Sequence, residues 1–126
     1  AANIATAKVI VAGGYGMGSK ENFDQLYKLA SLLGGEVGAT RAAIDAGYAN
    51  HDGMIGQTGI TVRPKLYFAC GISGQVQHTA GMDKSDVIVS INNDPEAPIH
   101  KLADYAIVGD VNKTVAKLIE YFSQNK

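Results

Sequence analysis

The chain has 126 residues, 11 basic against 12 acidic, a formal net charge of −1 and 46% hydrophobic residues, which fits one globular domain. Near-neutral charge excludes the clustered positive field of a non-specific nucleic-acid binder, and no apolar run approaches the roughly 18 residues of a membrane span. The single cysteine, Cys70, excludes an intramolecular disulfide, and the three histidines at 51, 78 and 100 lack any HxxH or CxxC spacing, so no structural zinc site is expected.

In chain order, Lys8–Ala12 reads as a short β-branched strand, followed by GGYGMGS at 13–19. Apolar residues at Phe23, Leu26, Tyr27, Ala30 and Leu33 recur at spacings of three and four, one face of a helix. Ser19 is its expected N-cap and Gly34-Gly35 its stop. Glu36–Thr40 reads as a second strand, Arg41–Ala46 as a helical turn, and 47–59 as a glycine-rich irregular stretch. Leu66–Cys70 has the character of a buried strand, and Gly74–Ala80 that of a short helix. Asp86–Ile91 is another buried strand, Ile99–Ala103 a short helix, and Tyr105–Val108 a last strand. Val111, Val115, Leu118, Ile119 and Phe122 mark a terminal helix capped by Asp110. Continuous apolar strands separated by helices predict an α/β fold: a Rossmann-like, doubly wound parallel sheet with helices on both faces, in a single domain. Ligands of such sheets bind beyond the carboxyl ends of the strands. Those ends are 13–19, 40–41, 55–59, 71–78, 92–98 and 109–110, and they hold most of the polar and flexible residues outside the helices.

Each of these segments has a chemical reading and a plain structural one. GGYGMGS suits a phosphate cradle of glycine amides, or a tight strand-to-helix turn. The dinucleotide fingerprint Gly-x-Gly-x-x-Gly fails in it, because counting from Gly14 the last position is Ser19. Glu36, the acid about 20 residues on, stands at the start of its strand rather than the end. CGISGQVQH at 70–78 fails the nucleophile elbow Gly-x-Ser-x-Gly, since the fifth residue from Gly71 is Gln75. As strand, glycine turn and helix start, it instead offers the amides of Ser73–Val76 to a pyrophosphate. His78, one turn into that helix, is either packed or placed to donate to a carbonyl that gains negative charge on reduction. His51 and His100 read as surface residues. Arg41 suits phosphate or an anionic ring, or a surface ion pair. Gln57-Thr58 is a hydrogen-bonding loop or an ordinary turn. Asp110 is a helix cap that also suits ribose hydroxyls.

The joint order of these segments is far more specific than any one of them. GG-x-G at 13–16, GATRAAIDAG at 38–47, IGQTG at 55–59, PKLYFACGISGQVQH at 64–78, AGM at 80–82, INNDPEAPI at 91–99 and ADYAIVGD at 103–110 together resemble the carboxyl-terminal FAD-binding domain of electron transfer flavoprotein alpha subunits. The resemblance runs over about residues 8–122. It implies FAD as cofactor and an electron carrier rather than an enzyme with its own substrate. By the resemblance, Arg41 stands beside the isoalloxazine and favours the reduced, negatively charged cofactor. Gln57 and Thr58, in the loop begun by Ile55 and Gly56, meet the flavin ring, with the Thr58 hydroxyl on N5. His78 stands near the pyrimidine C2 carbonyl. Ser73, Gly74, Gln75, Val76 and Gln77 run along the pyrophosphate and ribityl chain, Thr40 gives a phosphate-side hydroxyl, and Asn92 and Asp110 hold the adenosine half.

The same resemblance implies a beta subunit as partner, flavin dehydrogenases and an electron acceptor beyond it, no nucleic acid and no membrane insertion. It implies a bacterial cytoplasm, or a mitochondrial matrix in a eukaryote; the opening AANIATA shows no signal peptide. Two departures stand out. The family commonly has GGRG where this chain has Gly13-Gly14-Tyr15-Gly16, so Tyr15 removes a cation near the cofactor and is expected to stack or hydrogen-bond there. Residues 8–126 are expected to be the FAD-binding domain and 1–7 a linker or the remnant of an amino-terminal domain, making the chain an excised carboxyl-terminal domain or the product of a split gene. A Rossmann-like module for NAD(P) or AMP is the alternative the sheet allows, with the placement of Glu36 counting against NAD.

Overall fold

The computed structural model describes residues 3–125. Strands β1 (Val9–Gly13), β2 (Glu36–Ala39), β3 (Leu66–Cys70), β4 (Val87–Asn92) and β5 (Tyr105–Val108) form one sheet in the order β2-β1-β3-β4-β5. Every pairing is parallel. Helices α1 (Lys20–Leu33), α2 (Arg41–Asp45), α3 (Val76–Thr79), α4 (Ile99–Leu102) and α5 (Val111–Gln124) lie between and after the strands. The expected single-domain, Rossmann-like α/β arrangement is therefore the one the chain adopts.

Alternating side chains send the sheet into two cores. Val11, Phe68, Cys70 and Ile91 face α1 and α5, meeting Phe23, Leu26, Leu29 and Val115. Ile10, Ala12, Tyr67, Ala69 and Ile88 face the other way and meet Ile55, Ile72, Met82 and Ile99. The first face is thus covered by two 14-residue helices, and the second by the four-residue helices α3 and α4 with the irregular segment before β3. Ile4, inside the segment expected to be a linker, packs into the second core, while residues 1–2 of that segment lie outside the described residues.

The caps are where the sequence places them. Ser19 Oγ accepts from Asn22 N–H at 3.1 Å, Gly34 closes α1, and Asp110 Oδ1 accepts from Lys113 N–H at 3.0 Å. Three expectations are corrected. Tyr27 stands off the buried face of α1, and Leu29 packs in the core instead. The helix expected over Gly74–Ala80 spans only Val76–Thr79, because Gly74 and the extended Gln75 are not helical. His100 is no free surface residue: its Nδ1 accepts from the buried Ser90 hydroxyl at 2.7 Å, tying α4 to β4.

The chain leaves β1 toward β2 on one side and returns to place β3 on the other. That reversal of strand order opens a crevice beyond the carboxyl ends of β1 and β3, the position at which parallel open sheets bind ligands.

Candidate cofactor-binding site

A cavity of about 480 Å³ occupies that crevice, within the roughly 300–1,000 Å³ usual for small-molecule sites. The turn after β1 brings Tyr15 to it, the β2–α2 junction brings Thr40 and Arg41, and the irregular loop brings Ile55, Gly56 and Thr58. Ser73, Gly74, Gln75, Gln77 and His78 reach it from the β3–α3 junction, and Asn92 from the end of β4. A second hollow of about 110 Å³ shares Gly16, Gly71 and Asn92 with the first and is bordered by Asp110. Of the expected residues, only Gln57 and Val76 border neither hollow. Gln57 takes part through its backbone, its N–H donating to the Gln77 carbonyl at 2.7 Å, and the Val76 side chain is solvent-exposed. Sequence reasoning missed the apolar walls Met54 and Ile72, whose residue types are those of ordinary core.

The glycine-rich turn after β1 is a close-packing turn rather than an amide cradle. Gly14 N–H donates to the Cys70 carbonyl, Gly16 N–H to Gly71, and Met17 N–H to Gly14. The missing side chain at Gly16 lets it lie against Gly71, where a Cβ would come within 2.8 Å of the Gly71 oxygen. A longer run of free donors sits elsewhere. Among the described residues, the amides of Ser73, Gly74, Gln75 and Val76 have no hydrogen-bond partner. They stand at the end of β3, where the chain turns into α3, and unpaired backbone N–H groups of this kind suit a diphosphate.

His78 is only 6% exposed, and both its ring nitrogens are engaged within the protein. Nδ1 lies 3.0 Å from the Ile55 carbonyl oxygen and Nε2 lies 2.8 Å from the Tyr67 hydroxyl. Burial lowers its pKa to about 4, against a smaller opposing effect of the Ile55 carbonyl. The ring is therefore neutral at pH 7, and in this arrangement both of its nitrogens are used inside the protein. The remaining mobile positive charge on the cavity wall is Arg41, exposed, with its Nε 3.7 Å from Asp45. Such an exposed pair is weak and leaves the guanidinium free to face an anion.

Tyr15 stacks on Tyr48, ring centroids 6.1 Å apart and planes at 15°. Thr40 Oγ1 accepts from Ala43 N–H at 3.2 Å and keeps its own hydrogen to donate. Asn92 donates to the Ile72 carbonyl at 2.9 Å and accepts from Asp94 N–H at 2.8 Å, so it braces the rim of both hollows. Asp110 has one carboxylate oxygen in its cap, and the other has no hydrogen-bond partner among the described residues. Cys70 is fully buried, and burial pushes its thiol up to about 12, which leaves it inert. Among the described residues no cluster of His, Cys, Asp and Glu suits a metal ion, and no helix is long and apolar enough to cross a membrane. Free amides, one cation, two neighbouring hollows that share three wall residues and one carboxylate oxygen outside the cap fit an elongated diphosphate-bearing cofactor with ribose at one end.

Comparison with known proteins agrees with that chemistry. The family model described as the electron transfer flavoprotein FAD-binding domain matches residues 3–83. The electron transfer flavoprotein subunit alpha of Clostridium acetobutylicum is 64% identical over 118 residues, covering 94% of this chain and 35% of that protein. The Bacillus subtilis subunit alpha is 57% identical, covering 97% and 38%, and the mitochondrial subunit alpha of Dictyostelium discoideum is 53% identical, covering 98% and 35%. The chain spans a little over a third of the length of these relatives. Among solved structures, a chain assigned to a thiamin diphosphate-dependent enzyme from Mycobacterium smegmatis superposes with a TM-score of 0.53 at 16% identity, over 93% of this chain and 25% of that one; at that identity the likeness is one of fold.

Proposed function

The chain belongs to the electron transfer flavoprotein FAD-binding-domain family, whose cofactor is FAD, and from that premise we propose that it is the redox domain of an alpha subunit, carrying electrons between flavin dehydrogenases and an acceptor rather than transforming a substrate of its own. The observation that best supports this reading is the run of unpaired amides at Ser73–Val76 in a region whose cavity also holds Arg41 and Thr58. When bound, FAD supplies the redox chemistry; the chain supplies binding, orientation and charge.

In this reading the Ser73–Gln77 junction holds the pyrophosphate and ribityl chain, with Thr40 adding a hydroxyl. The Ile55–Thr58 loop meets the ring, Thr58 offering its hydroxyl at N5. Asn92 and Asp110 border the adenosine half. Tyr15 covers the rim through its stack on Tyr48. His78 sits behind the ring's pyrimidine end as a neutral, internally bonded group, so Arg41 carries the electrostatic load when the cofactor gains negative charge. In this reading a beta subunit is its partner, and the bacterial cytoplasm or a mitochondrial matrix is where it works. An NAD(P) or AMP module is not favoured, given the family.

An absorbance spectrum after incubation with FAD and gel filtration tests the proposal, with about one retained flavin per chain as the expected result. Failure to retain flavin, both alone and with a beta subunit added, would sink it. In the flavin-loaded chain, Arg41→Ala is expected to lower the reduction potential by several tens of millivolts, the scale of a factor of ten in a one-electron equilibrium at about 59 mV, while FAD stays bound. An unchanged potential removes Arg41 from the role. Asp110→Ala should weaken FAD binding on the order of fivefold and leave the potential in place; titration of FAD fluorescence and a redox titration separate the two effects.

A further inference from the structure

His78 on the cavity wall and Tyr67 behind it form a chain of hydrogen bonds whose direction follows from the acceptor at its end. A carbonyl oxygen only accepts, so the 3.0 Å contact to Ile55 puts the proton on Nδ1 of His78. In the neutral ring Nε2 is then an acceptor, and the hydroxyl of Tyr67, 2.8 Å away, donates to it. Tyr67 is fully buried on β3, and among the described residues its hydroxyl has no other partner.

The far end of this chain is the loop of interest. Ile55 immediately precedes Gly56, Gln57 and Thr58. The loop is anchored to α3 and the residues after it in two further ways: the Gln57 N–H bond to the Gln77 carbonyl at 2.7 Å, and backbone contact between Gly56 and Gly81, where a Cβ on Gly81 would come within 2.6 Å of the Gly56 Cα. His78 is the side-chain link among these, and its orientation depends on what holds Nε2.

We propose that Tyr67 is a positioning residue of the flavin site: its hydroxyl locks His78 as the Nδ1–H tautomer, and the locked ring clamps the Ile55 carbonyl so that the Gln57–Thr58 loop is held in place before cofactor enters. The clamp itself stands on the unliganded protein; its relevance to flavin rests on the reading of 55–59 as the loop that meets the ring. A histidine clamp of this kind uses both ring nitrogens inside the protein, which separates it from a histidine that donates to the cofactor.

Nitrogen NMR of the ¹⁵N-histidine-labelled chain without cofactor tests the tautomer directly. The expected result is a proton on Nδ1 and a bare, hydrogen-bonded Nε2 at His78; a proton on Nε2 overturns the proposal. Tyr67→Phe keeps the ring and removes only the hydroxyl. It should shift the Nε2 signal to that of an unpaired nitrogen and speed exchange of the Gln57 amide on the order of tenfold. Unchanged Gln57 exchange overturns the clamp. With FAD, Tyr67→Phe and His78→Leu should each weaken binding on the order of tenfold, and the double variant should be little worse than His78→Leu alone, because the hydroxyl acts through the ring. Additive losses overturn that coupling. His78→Asn, whose amide N–H can serve the Ile55 carbonyl, should recover most of the affinity lost in His78→Leu. Were Tyr67→Phe not to fold, the wild-type tautomer and the Asn–Leu contrast at 78 still decide. If the wild-type chain retains no FAD, the flavin reading fails, while tautomer and Gln57 exchange continue to judge the clamp.

Discussion

Acidification from pH 7 to pH 4 is expected to cost the folded chain on the order of 3 kcal/mol through His78 alone. In the unfolded chain this imidazole takes a proton near its ordinary value of 6.5, whereas in the fold burial lowers the value to about 4. Between those values the unfolded state binds a proton that the folded state refuses. Stability therefore rises with pH across that window, is fully present above about 6.5, and is lost as pH falls toward 4. A gap of about 2.5 units at roughly 1.4 kcal/mol each gives the magnitude, a large fraction of the roughly 5–15 kcal/mol a domain has. Carboxylates add their own dependence at the acid end, so the decisive quantity is a difference. Urea melts at several pH values should show the slope between 6.5 and 4 shallower in His78→Asn than in the parent by about one proton. Parallel slopes would mean that the ring is not held neutral in the fold.

The same residue shows where sequence reading reaches its limit. The order of strands and helices was legible because the inner strands, buried on both faces, read as unbroken apolar runs, and because Ser19 and Asp110 cap by local rules that need no tertiary partner. The location of the site was legible too, since the polar and glycine-rich segments follow the carboxyl ends of the strands. The state of His78 was not. It depends on a main-chain carbonyl 23 residues away and on a tyrosine 11 residues away that, inside LYFAC, looks like any other strand residue. Main-chain carbonyls leave no trace in residue type. For the same reason the glycines at 13–16 invited a phosphate cradle, when the amides of Gly14 and Gly16 are spent on the carbonyls of Cys70 and Gly71 and the run of free donors lies at 73–76. His100 failed similarly, because its partner is a buried serine on the neighbouring strand. Local rules carried the elements; contacts between distant backbone segments decided the chemistry.

Gly56 is the residue at which one methyl group should do most damage. Its φ of +150° is a conformation that side-chain-bearing residues rarely adopt, and a Cβ there would stand 2.5 Å from the Gln77 carbonyl oxygen, which belongs to the backbone and cannot swing aside. Strain and overlap together put the cost of Gly56→Ala on the order of 3 kcal/mol, roughly 10 °C in Tm for a domain of this size. Gly47 supplies the control. It also has a positive φ, +83°, yet nothing lies within 4 Å of the added Cβ, so Gly47→Ala should cost only about 1 kcal/mol for the backbone conformation. The loop has one way to escape the overlap, which is to lift off α3. That movement would spare stability but break the Gln57–Gln77 bond and displace Thr58 from the cavity wall. Measured together, Tm and FAD affinity therefore distinguish the two responses: a large loss of Tm if the loop stays, a smaller one with a disproportionate loss of FAD if it lifts. A Gly56→Ala chain that melts like Gly47→Ala and binds FAD like the parent would mean that the loop does not pack on α3 as described. The close approach of Gly56 to Gln77 is thus the contact on which both the stability of the loop and the shape of the flavin site depend.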